Sequence, residues 1–237
     1  MLEKIPSVIL ALDVEDKLRA RAILKATGEK LQWVKIGLQT YLRDGPDLVR
    51  EIADSGKRVF LDLKLYDIPN TMAKAVESLA DLPIEMLTLH ASAGPEALKL
   101  CSLVAKEHMP KTTLLGVTVL TSMNKASLSA IGINDSIDMQ VDRLACLAAQ
   151  SGIGGIVCSP LELKRLRPIL ASTIKLVTPG IRPKGSELGD QKRIMTPADA
   201  RIAGADYLVI GRPILSQPDP SLALQGILDE LAEKSKD

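Results

Sequence analysis

Eight short apolar runs recur along the chain with amphipathic stretches between them, and this rhythm restricts the fold more than any other feature. The runs are Ser7 to Asp13, Trp33 to Gly37, Val59 to Lys64, Met86 to His90, Thr113 to Leu120, Gly155 to Cys158, Lys175 to Thr178 and Tyr207 to Gly211. They have strand length, and several are rich in β-branched residues. Between them, Met72, Ala75, Val76 and Leu79, and later Leu224, Ile227, Leu228 and Leu231, keep the spacing of a helix with one buried face. Thr196-Pro197 reads as a helix start that Gly204 ends, and Asn70 or Thr71 after Pro69 reads as another. No linker rich in Pro, Gly or Ser and no repeat interrupts the 237 residues. Eight βα units in that length predict one (β/α)8 barrel, residues 1–237, as a single catalytic domain. A doubly wound sheet is the alternative, but it has no need of a polar residue at the end of nearly every strand.

Those polar ends carry the chemistry, because a barrel of this kind builds its site from the C-terminal ends of its strands. They are Asp13, Lys35, Asp62 with Lys64, His90, Thr121, Thr178 with Pro179 and Gly180, and Gly211 with Arg212. Strand alternation puts Trp33, Lys35 and Gly37 on one face and Val34 and Ile36 on the other. By the same rule Asp62 and Lys64 share a face opposite Leu61, Leu63 and Leu65. Buried charge is costly unless paired, so Asp13, Lys35, Asp62, Lys64 and Asp67 form either a self-neutralised network or a site for a charged ligand. Three aspartates suit Mg²⁺, but two interleaved ammonium groups repel it and occupy its ligands, so the site reads as metal-free.

The eighth run ends Gly211-Arg212-Pro213, where a close backbone approach, a helix start and a guanidinium suit a phosphate. The segment PGIRPKGSELGDQKRIMTP before it is 19 residues long and basic, with glycines at 180, 185 and 189. It reads as a lid over that phosphate, with Arg182 and Gln191 as contacts.

Composition removes other classes. With 30 basic and 29 acidic residues the chain has no global field to gather nucleic acid or an anionic membrane. One Phe, one Trp and three Tyr leave no stacking platforms for single strands. The opening MLEKIPSVILALDVEDK is too short in apolar residues for a signal peptide or a span, and Cys101, Cys146 and Cys158 are too scattered for a disulfide framework. A cytoplasmic protein with each cysteine as a small buried hydrophobe is expected. His90 is expected to be a hydrogen-bonded structural histidine, His108 to be solvated, and Asp229 to Asp237 to be a solvated helix end that frays.

The stretch Asp62 to Thr71, DLKLYDIPNT, matches D-x-K-x-x-D-[IV]-P-x-T, and it resembles the signature of the orotidine 5′-phosphate decarboxylase family in its bacterial form. LALDV, VKIG, VTVLTS, VTPGIRP and YLVIGRPI resemble the family's other blocks in the same order, so the likeness runs along nearly the whole chain. Related barrels acting on pentulose and hexulose phosphates share D-x-K-x-x-D but place a metal-binding Glu near the second strand's end, where this chain has Lys35. The resemblance implies cofactor-free conversion of orotidine 5′-phosphate to UMP and CO₂ in a homodimer with shared sites. It implies that Asp13 and Lys35 hold the ribose, that Lys35 also positions Asp62, and that Asp62 sits against the departing carboxylate. Lys64 is then the proton donor to C6. Asp67 and Thr71 reach into the partner's site, and Ile68 is a further substrate-binding residue. Thr121 and Ser122 line the pyrimidine pocket, Arg182, Gln191, Gly211 and Arg212 take the phosphate, and Pro179 is a further substrate contact. Other classes are a metal-dependent sugar-phosphate lyase on the same barrel and a silent pyrimidine-nucleotide binder.

Overall fold

The computed structural model describes residues 5–184 and 193–233. In chain order the elements are β1 (Ser7–Ala11), α1 (Lys17–Thr27), β2 (Trp33–Gly37), α2 (Leu38–Asp54), β3 (Arg58–Leu65), α3 (Pro69–Ser78), β4 (Met86–His90), α4 (Pro95–His108) and β5 (Thr113–Val117). There follow α5 (Lys125–Ala130), α6 (Ile137–Gln150), β6 (Gly155–Val157), α7 (Leu163–Ile169), β7 (Lys175–Thr178), α8 (Pro197–Ile202), β8 (Tyr207–Ile210), α9 (Arg212–Leu215) and α10 (Pro220–Ala232). The eight strands are parallel and close on themselves, β8 pairing with β1 from Ser7↔Tyr207 to Leu10↔Ile210. The fold is the expected (β/α)8 barrel.

Strand alternation sorts the apolar residues into two cores. Val8, Leu10, Val34, Ile36, Leu61 and Leu87 face outward and pack beneath the helices. Ile9, Ala11, Trp33, Phe60, Met86, Leu115, Val177 and Val209 fill the barrel axis. The few aromatic residues concentrate there. Trp33 meets Tyr207 edge-on at 5.4 Å between ring centroids, and the Arg58 guanidinium lies 4.1 Å over the indole. Each large side chain buried in this plug contributes about 1.5–3 kcal/mol, and together they close the axis below the polar strand ends.

Several boundaries differ from the sequence reading. β1 stops at Ala11 and β5 at Val117, so Asp13 and Thr121 stand on loops beyond the ladder. The α3 helix opens at Pro69 itself, with Ile68 as its cap, so Asn70 and Thr71 fall inside its first turn. Proline needs no N–H partner at a first helical position, which makes it the natural opener. At α8 the expectation holds: the Thr196 hydroxyl accepts the Asp199 N–H at 3.1 Å, and Gly204 with φ +95° follows the last turn. The α10 helix continues to Ala232 with Leu231 buried, so the first part of the charged C-terminal run is packed rather than frayed. Cys101 and Cys158 are buried, whereas Cys146 is only half-buried. The longest helix, α2, is kinked where Gly45 with φ +68° precedes Pro46.

Close packing of the barrel wall puts a strict demand on Gly155 in β6. A Cβ built there meets Leu115 Cδ2 at 2.5 Å and the Lys175 carbonyl oxygen at 3.0 Å. Gly155→Ala is therefore expected to cost about 1–3 kcal/mol by overpacking, lowering the melting temperature by roughly 2–4 °C per kcal/mol for a chain of this size. Thermal unfolding followed by circular dichroism checks this, and an unchanged midpoint would show that the wall yields.

Candidate active site

Four charged side chains meet at the C-terminal mouth of the barrel in alternating sign. Lys35 Nζ, on β2, lies 3.3 Å from Asp13 Oδ1 and 3.4 Å from Asp62 Oδ2. Lys64 Nζ lies 2.8 and 2.9 Å from the two oxygens of Asp62. The line Asp13, Lys35, Asp62, Lys64 runs from exposed to buried and out again, with side-chain exposures of 47%, 9%, 11% and 38%. Burial on its own would raise the Asp62 pKa, but the charges of Lys35 and Lys64 and the hydrogen bonds from Lys64 and Thr88 outweigh it and hold the carboxyl below its ordinary value. Asp62 is therefore a carboxylate at neutral pH.

Simple alternation does not explain how Asp62 and Lys64 converge. Along β3, Leu61 pairs with Leu87 and Leu65 with Leu89, so the three residues 62–64 oppose Thr88 alone. Lys64 takes φ +51°, the one positive value at a non-glycine residue among the described residues. Such a conformation costs about 1–3 kcal/mol and persists where surrounding contacts enforce it. Thr88 supplies them. Its buried hydroxyl accepts the Lys64 N–H at 2.9 Å and donates to Asp62 Oδ1 at 2.9 Å, replacing the lost ladder and fixing both side chains. The sequence reading missed Thr88. Its only sequence signal is a hydroxyl residue between leucines in a buried strand.

Room for the array comes from Gly37. A Cβ at that position would sit 2.7 Å from Asp13 Oδ1 and 2.8 Å from Lys35 Nζ, so any side chain there would part the pair.

Beside the array opens a cavity of about 170 Å³, lined by Lys35, Asp62, Lys64, Thr121 and Pro179 together with Phe60, Val117, Val119, Leu120, Val157, Cys158 and Val209. One wall is charged and the remainder is apolar. Such a cup suits a flat, partly polar ring presented to a row of fixed charges. None of the other described sequence candidates is among its lining residues. Asp67, Ile68 and Thr71 are exposed on the segment entering α3, and Asp67 Oδ1 accepts the Ile68 N–H at 2.6 Å. Ser122 is exposed, outside the lining. Arg182 is buried and donates through Nη1 to the Ile181 carbonyl at 2.8 Å. Gly211 caps the N-terminus of α9, and the exposed Arg212 is that helix's first residue. Gln191, with Gly185 and Gly189, lies outside the described residues. The base of the proposed lid has structure of its own. Ile181 bridges to Met195, and the Arg182 N–H donates to the Met195 carbonyl at 2.9 Å.

His90 departs from its expected role. Its Nδ1 is buried without a hydrogen-bond partner among the described residues, and its ring packs against Tyr66 at 5.6 Å. Burial first, then the Lys64 charge, push its pKa below the ordinary imidazole value, against a pull from Asp62 in the other direction. Burial likewise pushes the Cys158 thiol far upward, which leaves it inert as a nucleophile. Among the described residues no group of three or more His, Cys, Asp or Glu side chains is placed to hold a metal ion. Both oxygens of Asp62 instead face ammonium groups.

The family model for "Orotidine 5'-phosphate decarboxylase / HUMPS family" matches residues 6–227. An orotidine 5′-phosphate decarboxylase of Opitutus terrae is 52% identical over 94% of this chain and 97% of its own, and one of Vibrio parahaemolyticus is 46% identical over 96% and 98%. Among solved structures, the orotidine 5′-phosphate decarboxylase of Lactobacillus acidophilus superposes with a TM-score of 0.85 at 32% identity, covering 97% of this chain and 100% of that one.

Replacing Thr88 tests the bulge directly. Thr88→Val keeps the shape and strands the Lys64 N–H, so it is expected to lose about 1–3 kcal/mol of unfolding free energy. Thr88→Ser keeps the hydroxyl and should retain most of that stability. Urea unfolding of the three proteins distinguishes them, and equal stability of the valine and serine variants would refute the role given to Thr88.

Proposed function

The chain belongs to the orotidine 5′-phosphate decarboxylase / HUMPS family, and from that premise we propose that it converts orotidine 5′-phosphate to UMP and CO₂, the last step of de novo UMP synthesis, without cofactor or metal. The observation that carries this reading is Asp62 fixed against Lys64 at the wall of a largely apolar cavity. Loss of CO₂ from a pyrimidine carbon with no electron sink leaves a carbanion, and the barrier to be removed reaches roughly 20 kcal/mol. No single contact supplies that. A preorganised ammonium in a water-poor cup stabilises developing negative charge far more than one in water.

In this reading Lys64 faces C6 of the pyrimidine, stabilises the carbanion and then protonates it. Asp62 lies beside the substrate carboxylate, where like charges 4 Å apart repel by about 4 kcal/mol at an intermediate dielectric. Lys35 and Asp13 take the ribose hydroxyls, Lys35 also holding Asp62 in place. Thr121, with Ser122 at the rim, and Pro179 border the pyrimidine. Arg182, Gln191, Gly211 and Arg212 receive the phosphate, whose remote binding energy organises the reacting groups. A divalent cation fits this donor set poorly, since the Asp62 oxygens already serve two ammonium groups, which argues against metal-dependent sugar-phosphate chemistry.

The chain is read as one catalytic domain that works as a homodimer in the cytoplasm. Tyr66 and Ile68 are 64% and 66% exposed on either side of Asp67, an apolar edge that a second copy would cover. Asp67 and Thr71 stand on that edge outside the chain's own cavity, which supports their reaching the partner's site. No helix among the described residues is long and apolar enough to cross a membrane.

The direct test follows the absorbance of orotidine 5′-phosphate with EDTA-treated protein. Wild type is expected to consume it, and Lys64→Ala to lose nearly all turnover while still binding UMP; near-normal turnover by that variant would overturn the role of Lys64. The shared site has its own check. Lys64→Ala and Asp67→Ala proteins, each nearly inactive, should regain turnover when mixed and allowed to exchange subunits, because one site of the mixed dimer holds both native residues. No recovery despite demonstrated exchange would place Asp67 in its own chain's site or outside both.

A further inference from the structure

We infer that Arg193 and Glu162 form a positioning pair for the cavity wall, a single guanidinium tying together three of the loops at the barrel mouth. The inference rests on the reading of the cavity as the pyrimidine site. Arg193 stands two residues before Met195, whose bridge to Ile181 secures that leg of the β7–α8 segment. Its Nη1 pairs with Glu162 Oε1 on the β6–α7 loop. Its Nη2 donates to the Leu120 carbonyl at 3.2 Å and more loosely to that of Val119 at 3.5 Å, both on the β5–α5 loop. Glu162 is anchored in turn: Oε2 accepts the Ser159 N–H at 2.8 Å within a capping box. The side chains of Glu162 and Arg193 are 2% and 14% exposed.

Stability alone gives no reason for this choice of residues. A buried ion pair gains little over apolar side chains of the same volume, because both charges lose their hydration. What a guanidinium offers is a planar fork that holds a carboxylate on one loop and carbonyls on another at fixed angles. The segment it grips needs holding. β5 has ended at Val117, and beyond it the chain is tied to β6 through Thr118 and to Arg193 through Val119 and Leu120. Val119 and Leu120 line the cavity, and so does Thr121, the next residue. Arg193 is thus a positioning residue, acting on Thr121 and its neighbours through their backbone.

The test separates position from stability. Arg193→Met alone leaves Glu162 as an uncompensated buried carboxyl and should destabilise the fold, so the informative proteins are the double variant Glu162→Leu/Arg193→Met and the milder Arg193→Lys. The double variant leaves no uncompensated charge but strands the Ser159 N–H, so it is expected to melt a few degrees below wild type and well above Arg193→Met. Amide hydrogen exchange at Thr118 and Met123, whose N–H groups donate to the Val157 and Leu120 carbonyls on either side of the gripped segment, should nevertheless be faster than in wild type, and kcat for orotidine 5′-phosphate should be about 100-fold lower, the scale of a misplacement near 1 Å. Arg193→Lys keeps the charge without the fork and should fall between. Wild-type exchange at Thr118 and Met123 in either variant overturns the positioning role, as does wild-type kcat in the double variant. Hydrogen exchange needs no substrate, so it decides this inference even where wild-type protein leaves orotidine 5′-phosphate untouched, a result that would sink the proposed function instead.

Discussion

Burying the Asp62 carboxylate is the constraint from which the site's architecture follows. An isolated carboxylate in so dry a place costs several kcal/mol of lost hydration and would take up a proton instead. Lys35, Lys64 and Thr88 together reverse that preference and keep the group ionised. Each of them comes from a different turn of the barrel or from a bulge within it, so the charge is stable only when β2, β3 and β4 are in register. Fold and site are therefore coupled in both directions. The array holds three strands at one height, and the strands hold the array in a geometry that no flexible loop would keep.

The barrel interior supplies the dryness on which this electrostatics depends. Trp33, Phe60 and Tyr207 place three of the chain's few aromatic residues along one axis, beneath the charges rather than at the surface. Water is excluded from below, and the apolar residues from Val117 to Leu120 and at Val157 and Val209 narrow the sides. In such surroundings a fixed ammonium retains most of its field, because little solvent is present to reorient around it.

Much of this was legible in the chain itself. Eight apolar runs with polar ends define the barrel, because hydrophobic period and strand length are local properties. The inward parity of Lys35 follows from alternation along a regular strand, and β2 is regular. Asp62 and Lys64 look equally simple, yet their meeting depends on a bulge and a left-handed residue that the local pattern does not announce. Thr88 escaped notice for the same reason: its role exists only across a strand pair. Arg193 and Glu162 are 31 residues apart and meet through loops whose course no periodicity encodes. Helix starts failed more modestly. Asn70 and Thr71 are good caps in isolation, but Pro69 had already opened the helix ahead of both.

The alternation of charge also bears on why the proposed reaction would need no metal. Asp13, Lys35, Asp62 and Lys64 are balanced among themselves, so a bound substrate carboxylate would add one negative charge to these four groups. In the proposed reaction, departure of CO₂ would move that charge to C6 without changing its amount. Were Lys64 then to give up its proton as proposed, the carbanion would be quenched and the ammonium become neutral, so the total would again be the same. The site thus handles a displacement of charge over a few ångströms rather than the creation of one, and fixed ammonium groups suit that task. A divalent cation would bind the starting carboxylate most tightly and so stabilise the ground state that the reaction must leave. In the proposed reaction the proton of Lys64 would be both the counter-charge and the reagent, and its ion pair with Asp62 fixes where that proton is held.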